Sequence, residues 1–263
     1  MANAARDELI ESAQSYLVAL VSHDAERARL APDVRRIDNG RPTAVGAEAL
    51  RAILRREPVA STSAERWLVD GEEGVVFYDL EHDPARREGR SGPADGWMPA
   101  YVGERFRVRD GRIHEIEVVY WGDAARKPRP RRREPSRTPR AATSREALLA
   151  ACRTYLAALV SHDASAVPLA ADAWRVENGA DTGATGAAIA TSLESPVMKA
   201  VAGIEDVSWF AEHDQAATFY TLRVQAGERR ASCRIAERFR VRDGELIEIE
   251  AVVSNPVWAS PRA

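Results

Sequence analysis

Apolar residues near the start of the chain recur at helical spacing. Leu9, Ala13, Tyr16, Leu17 and Leu20 fall on one side of a 3.6-residue period, which predicts a helix over residues 5–22. Ser22-His23-Asp24 breaks that stripe, and a short helical turn runs on to Pro32. Residues 33–39 read as a short strand, Gly40, Pro42 and Gly46 as a loop, and residues 47–56 as a second helix. Beyond that point the period shortens to two. Four runs, 64–70, 74–81, 97–109 and 112–121, are predicted strands, with Asp70-Gly71 and Asp110-Gly111 as hairpin signals. The whole pattern then starts again. Helices are predicted near 144–161 and 186–194, and strands near 172–178, 204–212, 215–225, 229–242 and 245–253. Helices followed by a strand meander predict an α+β domain with its helices on one face of a curved, mostly antiparallel sheet.

The residues repeat as well as the pattern. Residues 16–40 and 155–179 are identical at fifteen of 25 positions, and 104–119 matches 237–252 at 12 of 16. A duplicated domain of this size is far longer than a solenoid repeat of ~20–50 residues. Domains are therefore placed at 1–123 and 143–263, joined by a linker at 124–142. Within that linker, RKPRPRRREPSRTPR holds eight basic residues and four prolines in residues 126–140. Proline and like-charge repulsion predict an extended, solvated segment. It reads either as a patch for a polyanion or as a solubilising tether between acidic domains.

Composition narrows the class. The 263 residues are 45% hydrophobic and 29% charged, which is ordinary for a globular protein. A net charge of -3 argues against a nucleic-acid partner. Nothing approaches the ~20 apolar residues of a membrane span, and the N-terminus has no signal-peptide pattern, so a cytoplasmic protein is the simplest expectation. Cys152 and Cys233 occupy non-equivalent places in the second copy and read as two free thiols. No metal-ligand spacing, phosphate loop or nucleophile elbow occurs, so neither metal nor cofactor is expected.

The element order and the wording YxxALVSHD…L-x-x-D-x-x-x-x-[DE]-N-G…ERFRVRDG-x-[IL]-x-E-I-E resemble the nuclear transport factor 2-like superfamily, closest to SnoaL-like polyketide cyclases and ketosteroid isomerases. The resemblance implies a cone enclosing one apolar pocket, and members that pair through an open sheet face. In a duplicated chain it implies an intramolecular pseudo-dimer, and further oligomers are open. Strand alternation puts Glu104, Phe106 and Val108 on one face of ERFRVRDG and Arg105, Arg107 and Arg109 on the other. The apolar partners turn Glu104, and its mate Glu237, into the cone. A carboxyl there has its pKa raised by desolvation and can donate a proton or hydrogen bond near neutral pH. Alternatively each pairs with an arginine and ties strands together. Glu115, Glu117, Glu248 and Glu250 fall on the arginine face, which suggests a charged inter-domain sheet face with exposed cross-strand ion pairs. Ile116, Val118 and Tyr120, and Ile249, Ala251 and Val253, are expected to point inward.

The resemblance to ketosteroid isomerases implies two further pairs. Asp38 and Glu177 stand five residues after Asp33 and Asp172, where those enzymes carry their general base. Asp-Asn-Gly is also a favoured turn sequence. Tyr16 and Tyr155 match the oxyanion-binding tyrosine of the first helix, and either is equally a core tyrosine with a carboxylate partner. Together the candidates are Tyr16, Asp38 and Glu104, and Tyr155, Glu177 and Glu237. Their chemistry would be cofactor-independent proton abstraction next to a carbonyl, an isomerase, cyclase or dehydratase acting on a small hydrophobic metabolite. An epoxide hydrolase or epoxide-opening cyclase is the alternative reaction. A binding or scaffold protein is the third reading, its pockets plugged by Trp67, Trp209, Phe77 and Phe219. Ser-His-Asp, at 22–24 and 161–163, is expected to cap the first helix and start the next turn. A Gly-rich excursion at 84–96, followed by Trp97, Met98 and Pro99, suggests a lid over the first pocket.

Overall fold

A computed structural model describes residues 2–83, 99–122 and 144–259. The chain divides into two compact units, Met1–Lys127 and Pro128–Ala263. In the first, helix α1 (Ala2–Ser22) is followed by strands β1 (Leu30–Asp38) and β2 (Arg41–Val45), helix α2 (Ala47–Leu54), and the meander β3 (Val59–Asp70), β4 (Glu73–His82), β5 (Pro99–Arg109) and β6 (Arg112–Gly122). The second repeats it as α3 (Arg145–Ser161), β7 (Leu169–Glu177), β8 (Ala180–Gly183), α4 (Gly186–Leu193), β9 (Val201–Glu212), β10 (Gln215–Ala226), β11 (Arg229–Arg242) and β12 (Glu245–Val253). A short β13 (Val257–Trp258) ends it and pairs with β11. Each unit is thus an α+β domain, as the order of patterns predicts. The lid segment at 84–96 with Trp97 and Met98, and the linker at 126–140, lie outside the described residues.

Both sheets have one strand order: β2-β1-β6-β5-β4-β3 and β8-β7-β12-β11-β10-β9. The β1–β6 and β7–β12 pairings are parallel and the rest are antiparallel. Asn39-Gly40 and Asn178-Gly179 turn the chain from β1 to β2 and from β7 to β8 with positive φ at both residues (49° and 78°, 48° and 73°). That is the geometry a two-residue hairpin requires, and Asn and Gly tolerate it best. The loop expected after Gly40 is therefore partly strand. Every β2 residue except Ala44 is exposed, so this edge strand carries no apolar alternation to read. In β3 the expected start at 64 is late by five residues. The register slips between Ser63 and Arg66, with Ala64 at φ 57°, and the bulge scrambles the period.

The Ser-His-Asp expectation needs a partial correction. His162 ends α3 in the left-handed region, its N–H donating to the Ala158 carbonyl (2.9 Å), and His23 has the same φ sign. Ser22 and Ser161 accept the backbone N–H of Asp24 and Asp163 (3.3 Å each). Asp24 caps nothing with its side chain; it pairs with Arg27 (3.2 Å).

One face of each sheet packs on its long helix. Tyr16 meets Phe106 edge-on at 5.6 Å between ring centroids and Trp67 lies 6.3 Å from Phe106; Tyr155, Trp209 and Phe239 repeat the trio at 5.5 and 6.3 Å. The expectation that Phe77 and Phe219 also face the pocket is corrected. Each precedes a tyrosine that bonds the pocket glutamate, so alternation turns it to the opposite face. Tyr120, expected to point inward, is 42% exposed. The arginine face does carry cross-strand ion pairs, and they are not the exposed kind. Arg105 binds Glu73 at 3.1 Å, Glu117 at 3.2 Å and also Glu115. Arg238 binds Glu250 at 2.9 Å and also Glu248. Arg105, Glu117, Arg238, Glu248 and Glu250 are all buried, so the pairing compensates desolvated charge. Cys152 and Cys233 are free thiols, both buried.

Candidate functional site

In the first unit, four elements bring polar groups into the apolar interior. Strand β1 turns Arg36 and Asp38, two residues apart, to one side, and the Arg36 Nε donates to Asp38 Oδ1 at 2.7 Å. Strand β5 contributes Glu104, which stands opposite Val76 of β4 and Val118 of β6. Tyr78 of β4 is its diagonal cross-strand neighbour and donates its hydroxyl to Glu104 Oε2 at 2.9 Å. Helix α1 lays Tyr16 over the group. Tyr16 and Glu104 are each 1% exposed and Arg36 7%.

Electrostatics follow from that burial. Desolvation pushes the Glu104 pKa up to about 8, against the opposing pull of Arg36 and the Tyr78 hydrogen bond; the nearby Asp38 adds to the rise. Glu104 is therefore mostly a neutral acid at pH 7. Burial also raises both tyrosines, with Arg36 opposing and Glu104 reinforcing. Burial disfavours the charge on Arg36, but Tyr16, Asp38 and Glu104 outweigh it and the guanidinium stays charged. Two polar atoms are left over. Glu104 Oε1 and Arg36 Nη1 are fully buried, and neither has a hydrogen-bond partner among the described residues.

The second unit rebuilds the cluster with Tyr155, Arg175, Glu177, Tyr220 and Glu237. Tyr220 donates to Glu237 Oε2 at 2.9 Å. Burial lifts Glu237 to about 8, opposed by hydrogen bonds from Tyr220 and Tyr155 and by the charge of Arg175, with Glu177 reinforcing. Glu177 is looser than its mate Asp38: it lies 3.6 Å from Arg175 Nε, with its side chain 33% exposed against 15%. The Thr218 hydroxyl, beside Glu237 across β10–β11, is buried without a partner among the described residues.

The structure thus brings Tyr16, Asp38 and Glu104 into one cluster, and Tyr155 and Glu237 into another that Glu177 only borders. Sequence reasoning missed Arg36, Arg175, Tyr78 and Tyr220. Their signal was available: Arg36 and Tyr78 are kept in both copies, and Arg36 stands one strand period before the candidate acid. Among the described residues no group of three or more His, Cys, Asp or Glu is placed to hold a metal ion. Among the same described residues no helix is long and apolar enough to cross a membrane.

The family described as Domain of unknown function (DUF8021) matches residues 2–120 and again residues 141–253. The chain belongs to that family. Its two DUF8021 segments take in both clusters described above. No curated protein matches the chain. Among solved structures similar to it is an LEH-like epoxide hydrolase from M. tuberculosis, 22% identical, covering 41% of this chain and 84% of that one, with a TM-score of 0.37. Another is a putative SnoaL-like polyketide cyclase from Jannaschia sp. CCS1, at 19% identity, 44% and 86% coverage and a TM-score of 0.37. An NTF-2 like protein of unknown function from Burkholderia xenovorans LB400 follows at 16%, 47% and 89%, with a TM-score of 0.36. Each covers about half of this chain, the extent of a single DUF8021 unit.

Proposed function

We propose that the first unit is a cofactor-independent acid–base site for a small hydrophobic carbonyl compound. One observation carries this reading. Glu104 is a buried acid, neutral near pH 7, with one oxygen held by Tyr78 and the other unpartnered. A neutral carboxylic acid with a free O–H is a hydrogen-bond donor waiting for an oxygen. Asp38 takes a proton from the carbon next to the carbonyl. The electron pair moves to the carbonyl oxygen, which Glu104 and Tyr16 hydrogen-bond as it becomes an enolate. Asp38 returns the proton, to another carbon in an isomerisation. The low-dielectric surroundings strengthen both hydrogen bonds as charge develops.

Exchange in D2O tests this without knowledge of the natural product. The wild type should wash deuterium into the α-carbon of hydrophobic cyclic ketones, read by proton NMR. Asp38→Asn should lose that exchange with its melting curve intact; exchange undiminished in that variant refutes the assignment. The same neutral acid, with a carboxylate in the same cluster, also suits epoxide opening. Incorporation of oxygen-18 from labelled water into a diol would favour that reaction instead.

A further inference from the structure

The two units close the same cluster in different ways. In the second, every nitrogen of Arg175 is engaged: Nε donates to Thr182 Oγ1 (3.0 Å), Nη2 to the Thr182 carbonyl (3.2 Å) and Ser192 Oγ (2.5 Å), and Nη1 to the Tyr155 hydroxyl (3.3 Å). The positions matching Thr182 and Ser192 in the first unit hold Thr43 and Ile53. Isoleucine offers no acceptor. Arg36 turns to Asp38 instead, which leaves its Nη1, the counterpart of the nitrogen that donates to Tyr155 in the second unit, buried and unpartnered. Thr43 and Ile53 line an open pocket of ≈ 340 Å³ together with Ala49, Ala52, Arg56 and Glu57. This is the wall that holds the arginine in the other copy. Ile53, which lines the pocket, stands where Ser192 holds Arg175, so the pocket wall and the arginine's missing acceptor are one residue.

Resting on the reading of that cluster as a ligand site, we infer that the first unit binds a small carboxylate with an apolar body, and that the second unit is its closed, structural counterpart. The carboxylate reaches past Ile53 to the Arg36 Nη1 and, in place of a ketone oxygen, to the Glu104 O–H, the two groups left unmatched. The apolar body lies against Ala49, Ala52 and Ile53, and Arg56 adds positive charge at the rim. A guanidinium edge matches a carboxylate better than a neutral oxygen, since both hydrogen bonds are then charge-assisted. Asp38 keeps the Nε edge of Arg36, so the ligand and Asp38 share one cation.

Isothermal titration of the full chain with phenylacetate, and with its neutral amide 2-phenylacetamide, tests this. Phenylacetate should bind with one site per chain and at least tenfold more tightly than the amide. Ile53→Ser restores the acceptor of the second unit, should draw Arg36 away, and should weaken phenylacetate at least tenfold. Ser192→Ala, which loosens Arg175, should leave that affinity unchanged. Two equal sites per chain, an amide that binds as well as the acid, or an Ile53→Ser variant with wild-type affinity would each overturn the inference. Phenylacetate that fails to bind while ketone exchange persists would overturn it too, and leave the acid–base reading standing.

Discussion

Replacing Glu104 by Gln should make the protein more stable in mild alkali and change little in acid. Glutamine is nearly isosteric with the protonated acid, and its amide oxygen still accepts from Tyr78, 2.9 Å away in the wild type. The wild-type carboxyl keeps its proton to about pH 8, whereas its ordinary value is 4.5. Because the folded value is the higher one, the native state binds the proton more tightly than the unfolded chain. Its contribution is complete below pH 4.5, and is lost as the pH rises through the folded value near 8. At roughly 1.4 kcal/mol per pKa unit, a rise from 4.5 to about 8 is worth about 5 kcal/mol. Between those limits each such carboxyl should tilt unfolding free energy by roughly 1.4 kcal/mol per pH unit. Glu237 has the same value of about 8, so the chain carries two of these slopes.

Urea unfolding at pH 5, 6, 7 and 8 reads the effect. In the wild type the transition of each unit should fall steadily with pH. In Glu104→Gln the first unit's curve should flatten, meeting the wild type near pH 5 and lying above it at pH 8. Adding Glu237→Gln should flatten the second as well. Parallel wild-type and Glu104→Gln curves over this range would show that Glu104 is ionised in the folded state. That would remove the hydrogen-bond donor on which the proposed chemistry depends.

Three other outcomes follow from particular contacts. Arg238→Met should lower stability by about 3–5 kcal/mol in chemical denaturation, because it removes the guanidinium shared by the buried Glu248 and Glu250; Arg109→Met, which removes an exposed pair with Glu72, should change the denaturation midpoint far less. A methyl at Gly186 would lie 2.3 Å from the Ala170 carbonyl oxygen, so Gly186→Ala should melt well below the wild type, whereas a methyl at Gly203 meets nothing within 4 Å and should show little change. By the same denaturation, Asn39→Val should cost about 1–3 kcal/mol beyond Asn39→Gly by forcing a β-branched residue into φ 49°, since both variants lose the bond that Asn39 Oδ1 accepts from the Tyr120 N–H (3.0 Å) and differ in that strain.

Much of the architecture was legible because it rests on periodicity, and on a chain that states its pattern twice. Helix α1 buries a regular stripe, and strands β4, β6, β10 and β12 are apolar runs between turn residues with long buried stretches, so they announce themselves. Strand β2 did not, because its residues are mostly exposed and edge pairing leaves no mark on the sequence. The bulge at Ala64 hid the start of β3 in the same way. Among site residues, Glu104 was readable from alternation alone: a charged residue between apolar neighbours on one strand face. Tyr78 was obscured because Phe77 beside it looked the better candidate for the pocket. Two adjacent aromatics on a strand must face opposite ways, and only the hydrogen bond to Glu104 decides which one turns inward. The depth of the Arg105 and Arg238 networks was also hidden, since a charged row on a sheet reads as solvated until something covers it.

Duplication invites the inference that what both copies keep is what the function needs. The two clusters argue for a different weighting. Tyr16, Arg36, Tyr78 and Glu104 all have mates, yet the buried acids of both copies are lifted alike, to about 8. Retention therefore tracks the demands of the fold at least as closely as those of chemistry: a tyrosine pair and a carboxyl that together satisfy a polar spot inside an apolar cone. The informative positions are those where the copies part. Ile53 against Ser192, and Asp38 against the more exposed Glu177, decide whether the arginine between them is spent on the protein or left with a free edge. An aliphatic side chain in place of a hydroxyl on a neighbouring helix removes one of those acceptors, and a buried guanidinium takes whichever acceptor is within reach. Function in this chain is to be sought where one copy leaves a donor unsatisfied that the other has closed, rather than in what the copies share.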